Sequence, residues 1–286
     1  MRTTFAADVL EALLLSVDDR ALGFQQLREL ASRVSVDFDF RVDVAVNHMR
    51  ARQSLMGDSY PFEILPVAVR KKPGCETSPY VALLSISPEG IYRHAFSARD
   101  VDHASVEFER LVERAMIGLS GPGTLSVRFG WPSEVGRPAE FPEAIAWLGE
   151  KMGLNLGRGF RPPRRKDGGV DVIAWRRFRD GKSAFPIFLV QCTIQSDLIK
   201  KAEDIDVRNW AYWLDFSRDP QPILAVPHEI SSQDEAWNEL SLKSLVLDRP
   251  RLMELLDAST NSDNAYLPSE WLEDVLDAPT RYLQNL

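Results

Sequence analysis

The sequence predicts an α/β protein in two parts: a mixed α/β N-terminal domain over residues 1–125 and a C-terminal domain over residues 126–286. Three observations support this prediction. The chain has 286 residues, which is long for one domain and comfortable for two. A Gly/Pro-rich stretch, residues 120–138, lies between the halves. The C-terminal half then alternates helix-type and strand-type segments, which is the pattern of a mixed sheet flanked by helices.

The N-terminal half contains clear helical patterns and two short apolar segments. Apolar residues recur at helical spacing, and one segment pairs an apolar face with Glu and Arg on the other side. The predicted helices cover residues 5–35 with a break near 18–23, residues 41–57 and residues 102–119. The apolar segments at residues 60–72 and 80–86 are typical of strands or of buried core segments. No motif in this half indicates chemistry.

The C-terminal half supplies the strands and helices of the predicted sheet. Predicted strands cover residues 170–175, 185–194 and 222–230, and residues 244–256 form a strand-to-helix transition. Predicted helices cover residues 141–154, 196–214 and 268–277. A short turn at residues 179–182 joins the first two strands.

Charge and cysteine content exclude several classes of protein. The net charge of -8 disfavours a general nucleic-acid binder, yet residues 158–182 contain nine Lys or Arg against three Asp. Only Cys75 and Cys192 are present, so the sequence predicts neither a disulfide framework nor a cysteine-based zinc site, and a cytoplasmic location is expected. The N-terminus reads as an amphipathic helix rather than a signal peptide, and no apolar run is long enough to cross a bilayer.

Two polar residues interrupt strands that are otherwise apolar. Asp171 lies in "KDGGVDVIAW" and Gln191 lies in "FLVQCTI". Side chains alternate between the faces of a strand, so a hairpin between these segments can place Asp171 beside Gln191 at one end of the sheet. Carboxylate and amide oxygens are hard donors of the kind that Mg²⁺ prefers. A buried Asp without a partner is costly, which favours a site at this position.

Charged residues on both sides complete the candidate site. Glu143 lies on the preceding helix, and Lys200 and Lys201 lie on the following one. Together with Asp171 and Gln191 they form a set that can bind Mg²⁺, activate water and stabilise a pentavalent phosphorane. The basic residues predicted to hold a nucleic-acid backbone are Arg164, Arg165, Lys166, Arg176 and Lys200.

The order of these features resembles a known superfamily. A helix with Glu, then "DGGVDVIAW", a turn, "FLVQCT" and a helix with Lys is similar to the PD-(D/E)xK nucleases, which have the restriction-endonuclease-like fold. The resemblance covers residues 140–230 and is strongest to Mrr-like and defence-associated branches, where an Asp strand precedes a Gln-x-Lys strand. It implies that Asp171, Gln191 and Glu143 form the metal site, with Mg²⁺ or Mn²⁺ as cofactor and DNA as the expected substrate.

One departure from the family pattern leaves alternatives open. Thr193 stands where the family has Lys, and Lys201 (or Lys200) is the candidate for a lysine that has migrated to the helix.

The resemblance also implies a bacterial anti-phage setting and a homodimer or a subunit of a larger defence complex. The alternatives are a nuclease-derived module that binds nucleic acid without cutting it, and a plain interaction subunit. A thiol hydrolase built on Cys192 and His228 is disfavoured, because free cysteines are usually buried.

Overall fold

The computed structural model describes residues 3–32, 41–88, 90–162, 167–259 and 268–277. The helices are α1 (Thr3–Leu15), α2 (Phe24–Ala31), α3 (Val42–Met56), α4 (Pro79–Ser85), α5 (Ala98–Ser120), α6 (Phe141–Met152), α7 (Leu198–Ala202), α8 (Val207–Trp213), α9 (Glu235–Lys243), α10 (Arg249–Ser259) and α11 (Glu270–Asp277). The strands are β1 (Leu22–Gly23), β2 (Phe62–Ile64), β3 (Ala68–Lys71), β4 (Leu125–Arg128), β5 (Val172–Trp175), β6 (Ile187–Cys192), β7 (Gln221–Ala225) and β8 (Leu245–Leu247). Within these ranges, every helix is too short or too polar to span a bilayer.

A mixed five-stranded sheet forms the centre of the C-terminal half, in the order β4-β5-β6-β7-β8. The first three strands pair antiparallel, and β6, β7 and β8 pair parallel. Parallel neighbours require crossover connections, which α7 and α8 provide between β6 and β7 and α9 provides between β7 and β8. The predicted mixed sheet flanked by helices is confirmed.

The two faces of this sheet pack against different helices because side chains alternate along each strand. Val172 and Val190 face the core that contains α5 and the N-terminal helices. Ile173 and Leu189 face a second core, built from α6 and from the tryptophans of α8. Both faces of the central strands are therefore covered, which explains their nearly continuous apolar sequence.

The N-terminal half adds a small antiparallel sheet of order β1-β3-β2 and packs its helices onto the larger sheet. The division predicted at residue 125 falls inside β4, and α5, which precedes it, contacts β4, β5 and β6. One hydrophobic core includes buried residues from both sides of that division. The division therefore separates two sheets that share a core.

Three local predictions differ from the structure. Residues 80–86, considered as a strand or a buried segment, lie mostly in the buried helix α4, where Ser78 accepts a hydrogen bond from the Val81 N–H as an N-cap. A continuous apolar run does not distinguish a buried helix from a buried strand. Strand β4 lies inside the Gly/Pro-rich stretch, and the helix predicted over residues 196–214 is split, with Asp206 capping the second part.

Candidate active site

Asp171 lies immediately before β5, at the end of the sheet. Its N–H donates to the Val190 carbonyl at 2.8 Å, and its carbonyl accepts the N–H groups of Phe129 and Gly130 at 2.7 and 3.0 Å. These bonds fix its backbone between the chain segments that leave β4 and β6. Asp171 is only 9% exposed, so its carboxyl group is held in a largely water-free position.

The structure brings Asp171 and Gln191 together, as the predicted hairpin requires. Val172 pairs with Val190 across the antiparallel strands. Gln191 Nε2 donates to Asp171 Oδ2 at 2.7 Å, and the N–H of Cys192 donates to the same oxygen at 2.8 Å. Two hydrogen bonds to one carboxylate oxygen orient the group and leave the Gln191 amide oxygen as a further acceptor.

Glu109 on α5 is a second, largely buried carboxyl group at this end of the sheet, its charge acts on Asp171, and no sequence pattern pointed to it. Arg128 Nη1 donates to Glu109 Oε2 at 2.7 Å, and both side chains are largely buried. A methyl group at Gly130 would lie 2.6 Å from the same oxygen, so Glu109 packs directly on the backbone segment that bonds to Asp171. Glu107 and Glu113 lie on the same helix, and the sequence offered no signal that singled out Glu109 from them.

Burial raises the pKa of both carboxyl groups. Burial, and then the negative charge of Glu109, raise the pKa of Asp171 well above its ordinary value, while Lys201 opposes the shift. Burial also raises the pKa of Glu109, and Arg128 opposes that shift. Neighbouring carboxyls with raised pKa values are a mark of functional sites, because a bound cation would relieve their repulsion.

Lys201 supplies positive charge near Asp171, whereas Thr193 cannot. Lys201 Nζ donates to Asp204 Oδ2 at 3.0 Å, and its side chain is 27% exposed. Thr193 is buried, and its hydroxyl oxygen accepts the Gln195 N–H at 3.1 Å. Lys200 is exposed on the same short helix. The positive charge that acts on Asp171 therefore comes from Lys201 on α7.

Two other predicted site residues lie elsewhere. Glu143 is exposed in the first turn of α6, and no contact found within the described ranges joins it to Asp171 or Gln191. The helix that brings a carboxylate to this edge is α5, which precedes β4. Arg176 follows the last residue of β5, about 16 Å along the strand from Asp171, and its Nη1 donates to the Ser120 carbonyl at 2.6 Å.

Three other residues predicted to contact nucleic acid lie outside the described residues: Arg164, Arg165 and Lys166. Their assignment to backbone binding stays a prediction from the sequence.

The Gly-Gly pair before Asp171 positions the loop that carries it. Gly168 and Gly169 both have positive φ, at 69° and 78°. Asp167 Oδ1 accepts the Gly169 N–H at 2.9 Å, which closes a local turn. A methyl group at Gly169 would lie 2.1 Å from the Asp204 carbonyl oxygen, so this close approach sets the loop against the segment that holds Lys201.

Gly169→Ala is expected to destabilise the protein by about 2 kcal/mol more than Gly181→Ala. Both glycines have positive φ, so each substitution carries the same backbone cost of roughly 1 kcal/mol. The Cβ of Gly181 would meet nothing within 4 Å, whereas that of Gly169 collides with backbone. Urea unfolding of both variants measures the difference, and equal losses would show that the close approach to Asp204 is unimportant.

The donor set fits a magnesium-type ion better than a transition metal. Within the described ranges, no group of three or more His, Cys, Asp or Glu has the spacing to hold a metal ion. Asp171 and Glu109 offer two carboxylates, and Gln191 offers an amide oxygen. Mg²⁺ is commonly held by one or two carboxylates, with water and phosphate as its other ligands. Burial raises the pKa of the Cys192 thiol, which argues against a thiolate nucleophile.

The likeness of this chain to known proteins is weak. No protein-family model matches the chain, and no curated protein matches it. The chain is similar to a solved structure, MspJI restriction endonuclease in complex with a 27-mer oligonucleotide, at 14% identity and a TM-score of 0.28. The match covers 75% of this chain and 45% of that one, so the chain spans less than half of its length.

Proposed function

We propose that this protein is a metal-dependent nuclease of the PD-(D/E)xK type, which hydrolyses phosphodiester bonds, with DNA as the expected substrate. The observation that carries the proposal is the pair of buried carboxyls, Asp171 and Glu109, whose pKa values are raised at one end of a mixed sheet. The basic stretch at residues 158–182, in a chain of net charge -8, supports a polyanionic substrate.

Each residue has a role that follows from its contacts. Asp171 and Glu109 would hold Mg²⁺ or Mn²⁺, which supplies positive charge to a phosphate oxygen and lowers the pKa of bound water. Gln191 orients the Asp171 carboxylate through its 2.7 Å hydrogen bond. Arg128 holds Glu109 at the edge of the sheet. Lys201, whose charge acts on Asp171, would stabilise the negative charge that develops on the phosphorane.

The direct test compares two glutamates on two helices. Glu109→Gln is expected to reduce metal-dependent plasmid nicking by at least about 100-fold, because it removes one of two carboxylates. Glu143→Gln makes the same chemical change at an exposed position and should keep activity within about twofold, as surface substitutions usually do. Nicking of supercoiled DNA is measured with Mg²⁺ and with Mn²⁺. A loss caused by Glu143→Gln instead would overturn the assignment of Glu109.

A binding module without catalysis is the second candidate, and Thr193 favours it. Thr193 brings no charge to the site, and Lys201 already pairs with Asp204. If this candidate is correct, DNA binds but stays intact with either metal. Lys201→Met then changes affinity without a cutting activity to lose, and Lys151→Met, at an exposed position on α6 outside the predicted binding residues, is the control. Assembly as a homodimer or within an anti-phage complex is part of the proposal, and co-purification with neighbouring gene products tests it.

A further inference from the structure

Two aromatic side chains project into solvent at the end of α8 and on the loop that packs against it. Phe160 is 81% exposed, and Tyr212 at the end of α8 is 64% exposed. Most large apolar side chains of this protein are buried, including the two tryptophans of the same helix, Trp210 and Trp213. Phe160 and Tyr212 are the two most exposed aromatic side chains within the described ranges, and exposed aromatic residues on adjoining segments indicate a candidate binding surface.

Backbone hydrogen bonds hold the Phe160 loop against the end of α8. The Gly157 N–H donates to the Trp213 carbonyl at 2.9 Å, and the Gly159 N–H donates to the Tyr212 carbonyl at 2.8 Å. A methyl group at Gly159 would lie 2.5 Å from Tyr212 Cβ, so only glycine allows this close approach. These contacts therefore fix the backbone before Phe160 against the backbone at Tyr212, so that little backbone freedom is lost on binding.

The same helix anchors both this loop and the loop that leads to Asp171. Trp213 Nε1 donates to the Phe160 carbonyl at 3.0 Å, and Trp210 Nε1 donates to the Gly168 carbonyl at 3.2 Å. The two indole rings contact each other edge to face at 5.4 Å. The exposed aromatic pair and the candidate catalytic carboxylate are thus attached to one rigid support.

The charge around the aromatic pair favours an anionic partner. Arg158 is exposed, and Arg161 on the other side of Phe160 is held by its Nη1 bond to the Gly157 carbonyl at 3.0 Å. Asp215 lies at the opposite end of the loop, where its N–H bonds to the Asn155 carbonyl. Aromatic rings beside arginines are the combination that binds single-stranded nucleic acid, since bases stack on the rings and arginines contact phosphates.

We propose that Phe160 and Tyr212 form a stacking platform for an unpaired base of the nucleic-acid substrate, with Arg158 contacting its backbone. The inference rests on the proposed function, because it takes nucleic acid as the ligand, and it adds a preference for sites with unpaired bases, which negatively supercoiled plasmid DNA also exposes locally. In a regular duplex the faces of the bases are covered by their neighbours, so the platform would discriminate against fully paired DNA.

The test measures binding in EDTA, so that it is independent of cutting. Fluorescence anisotropy compares a labelled single-stranded oligonucleotide with the matching duplex. Phe160→Ala is expected to weaken single-strand binding by about tenfold or more and duplex binding by about twofold at most. Phe160→Trp should bind at least as well as the wild type, because stacking needs only an aromatic face. Phe178→Ala is the matched control, since Phe178 is also exposed, at 52%, and also lies between two arginines.

Several outcomes would overturn the inference. Equal effects of Phe160→Ala and Phe178→Ala would show general electrostatic binding, and equal losses for single strand and duplex would exclude stacking on unpaired bases. If Phe160→Ala binds single strands with full affinity and has an unchanged thermal midpoint, the aromatic pair does not bind nucleic acid. A protein would then be the expected partner of this surface. Single-strand binding that depends on Phe160, without any metal-dependent cutting, would keep the inference and refute the nuclease. Metal-dependent cutting, together with single-strand binding that does not depend on Phe160, would support the nuclease and refute the inference.

Discussion

Asp171→Asn is expected to abolish metal-dependent cutting, by at least about 1,000-fold, and at the same time to stabilise the protein. The asparagine oxygen can still accept the hydrogen bonds of Gln191 and Cys192 that Asp171 Oδ2 accepts now. The substitution removes the buried negative charge that Glu109 repels. We expect the free energy of unfolding near neutral pH to rise by about 1–2 kcal/mol, as at other sites where function opposes stability.

The gain in stability should depend on pH in a defined direction. Burial and the charge of Glu109 raise the native pKa of Asp171 above its value in the unfolded chain. A group of this kind costs no stability while it is protonated in both states. Its cost appears as pH rises past the unfolded pKa, because only the unfolded chain then ionises freely, and the cost is complete once pH reaches the native pKa. The difference between Asp171→Asn and the wild type should therefore be small near pH 4 and large above neutrality, as measured by urea unfolding across pH.

The response of the thermal midpoint to added metal should show whether Asp171 belongs to a cation site or is only a buried carboxyl group with an unfavourable charge. Mg²⁺ in millimolar amounts is expected to raise the thermal midpoint of the wild type, because a ligand that binds only the native state stabilises it. The midpoint of Asp171→Asn should not respond. If the variant is destabilised and cutting persists, the carboxylate is structural and the active-site assignment is wrong.

Arg249→Met is expected to lower the free energy of unfolding by about 3–5 kcal/mol, the usual cost of breaking a buried ion pair from one side. Arg249 is 1% exposed, and its two terminal nitrogens donate to the two Asp8 carboxylate oxygens at 2.9 and 2.8 Å. Its Nε donates to the Pro227 carbonyl at 2.8 Å. The variant would leave Asp8 buried with Arg52 as its remaining cation.

The ion pair of Asp8 and Arg249 connects the N-terminal helices to the C-terminal half of the chain. Asp8 lies on α1, whereas Arg249 begins α10 directly after the edge strand β8. Although burial opposes it, Arg249 and Arg52 hold the pKa of Asp8 well below its ordinary value, so the carboxylate is charged in the native state. The pair therefore docks the N-terminal helices onto the C-terminal sheet.

An exposed ion pair provides the control for this experiment. Arg28 donates to both carboxylate oxygens of Asp43 at 3.1 and 3.0 Å, but the two side chains are 46% and 67% exposed. Arg28→Met should cost less than about 1 kcal/mol, because solvent screens the pair. Urea unfolding measures both variants. Similar losses would mean that the network of Asp8 and Arg249 is not what joins the two halves.

Part of the candidate site could be predicted from strand periodicity alone. The polar interruptions at Asp171 and Gln191 stand out because the neighbouring residues are apolar on both faces, and a short connection between two strands forces an antiparallel hairpin. Strand alternation then determines which side chains meet. The adjacency of these two residues follows from local rules, and the 2.7 Å hydrogen bond agrees with it.

The sequence by itself determined the mixed sheet, its central hairpin and the acid–amide pair, since these depend on patterns that span a few neighbouring residues. Only the tertiary structure shows that Glu109, rather than Glu143, lies at this end of the sheet. Both are helix glutamates, and what distinguishes them is that α5 packs Glu109 onto Gly130 while Glu143 stays in solvent. Helix periodicity shows which residues share a face, but only packing at long sequence separation shows which part of that face reaches a given end of the sheet.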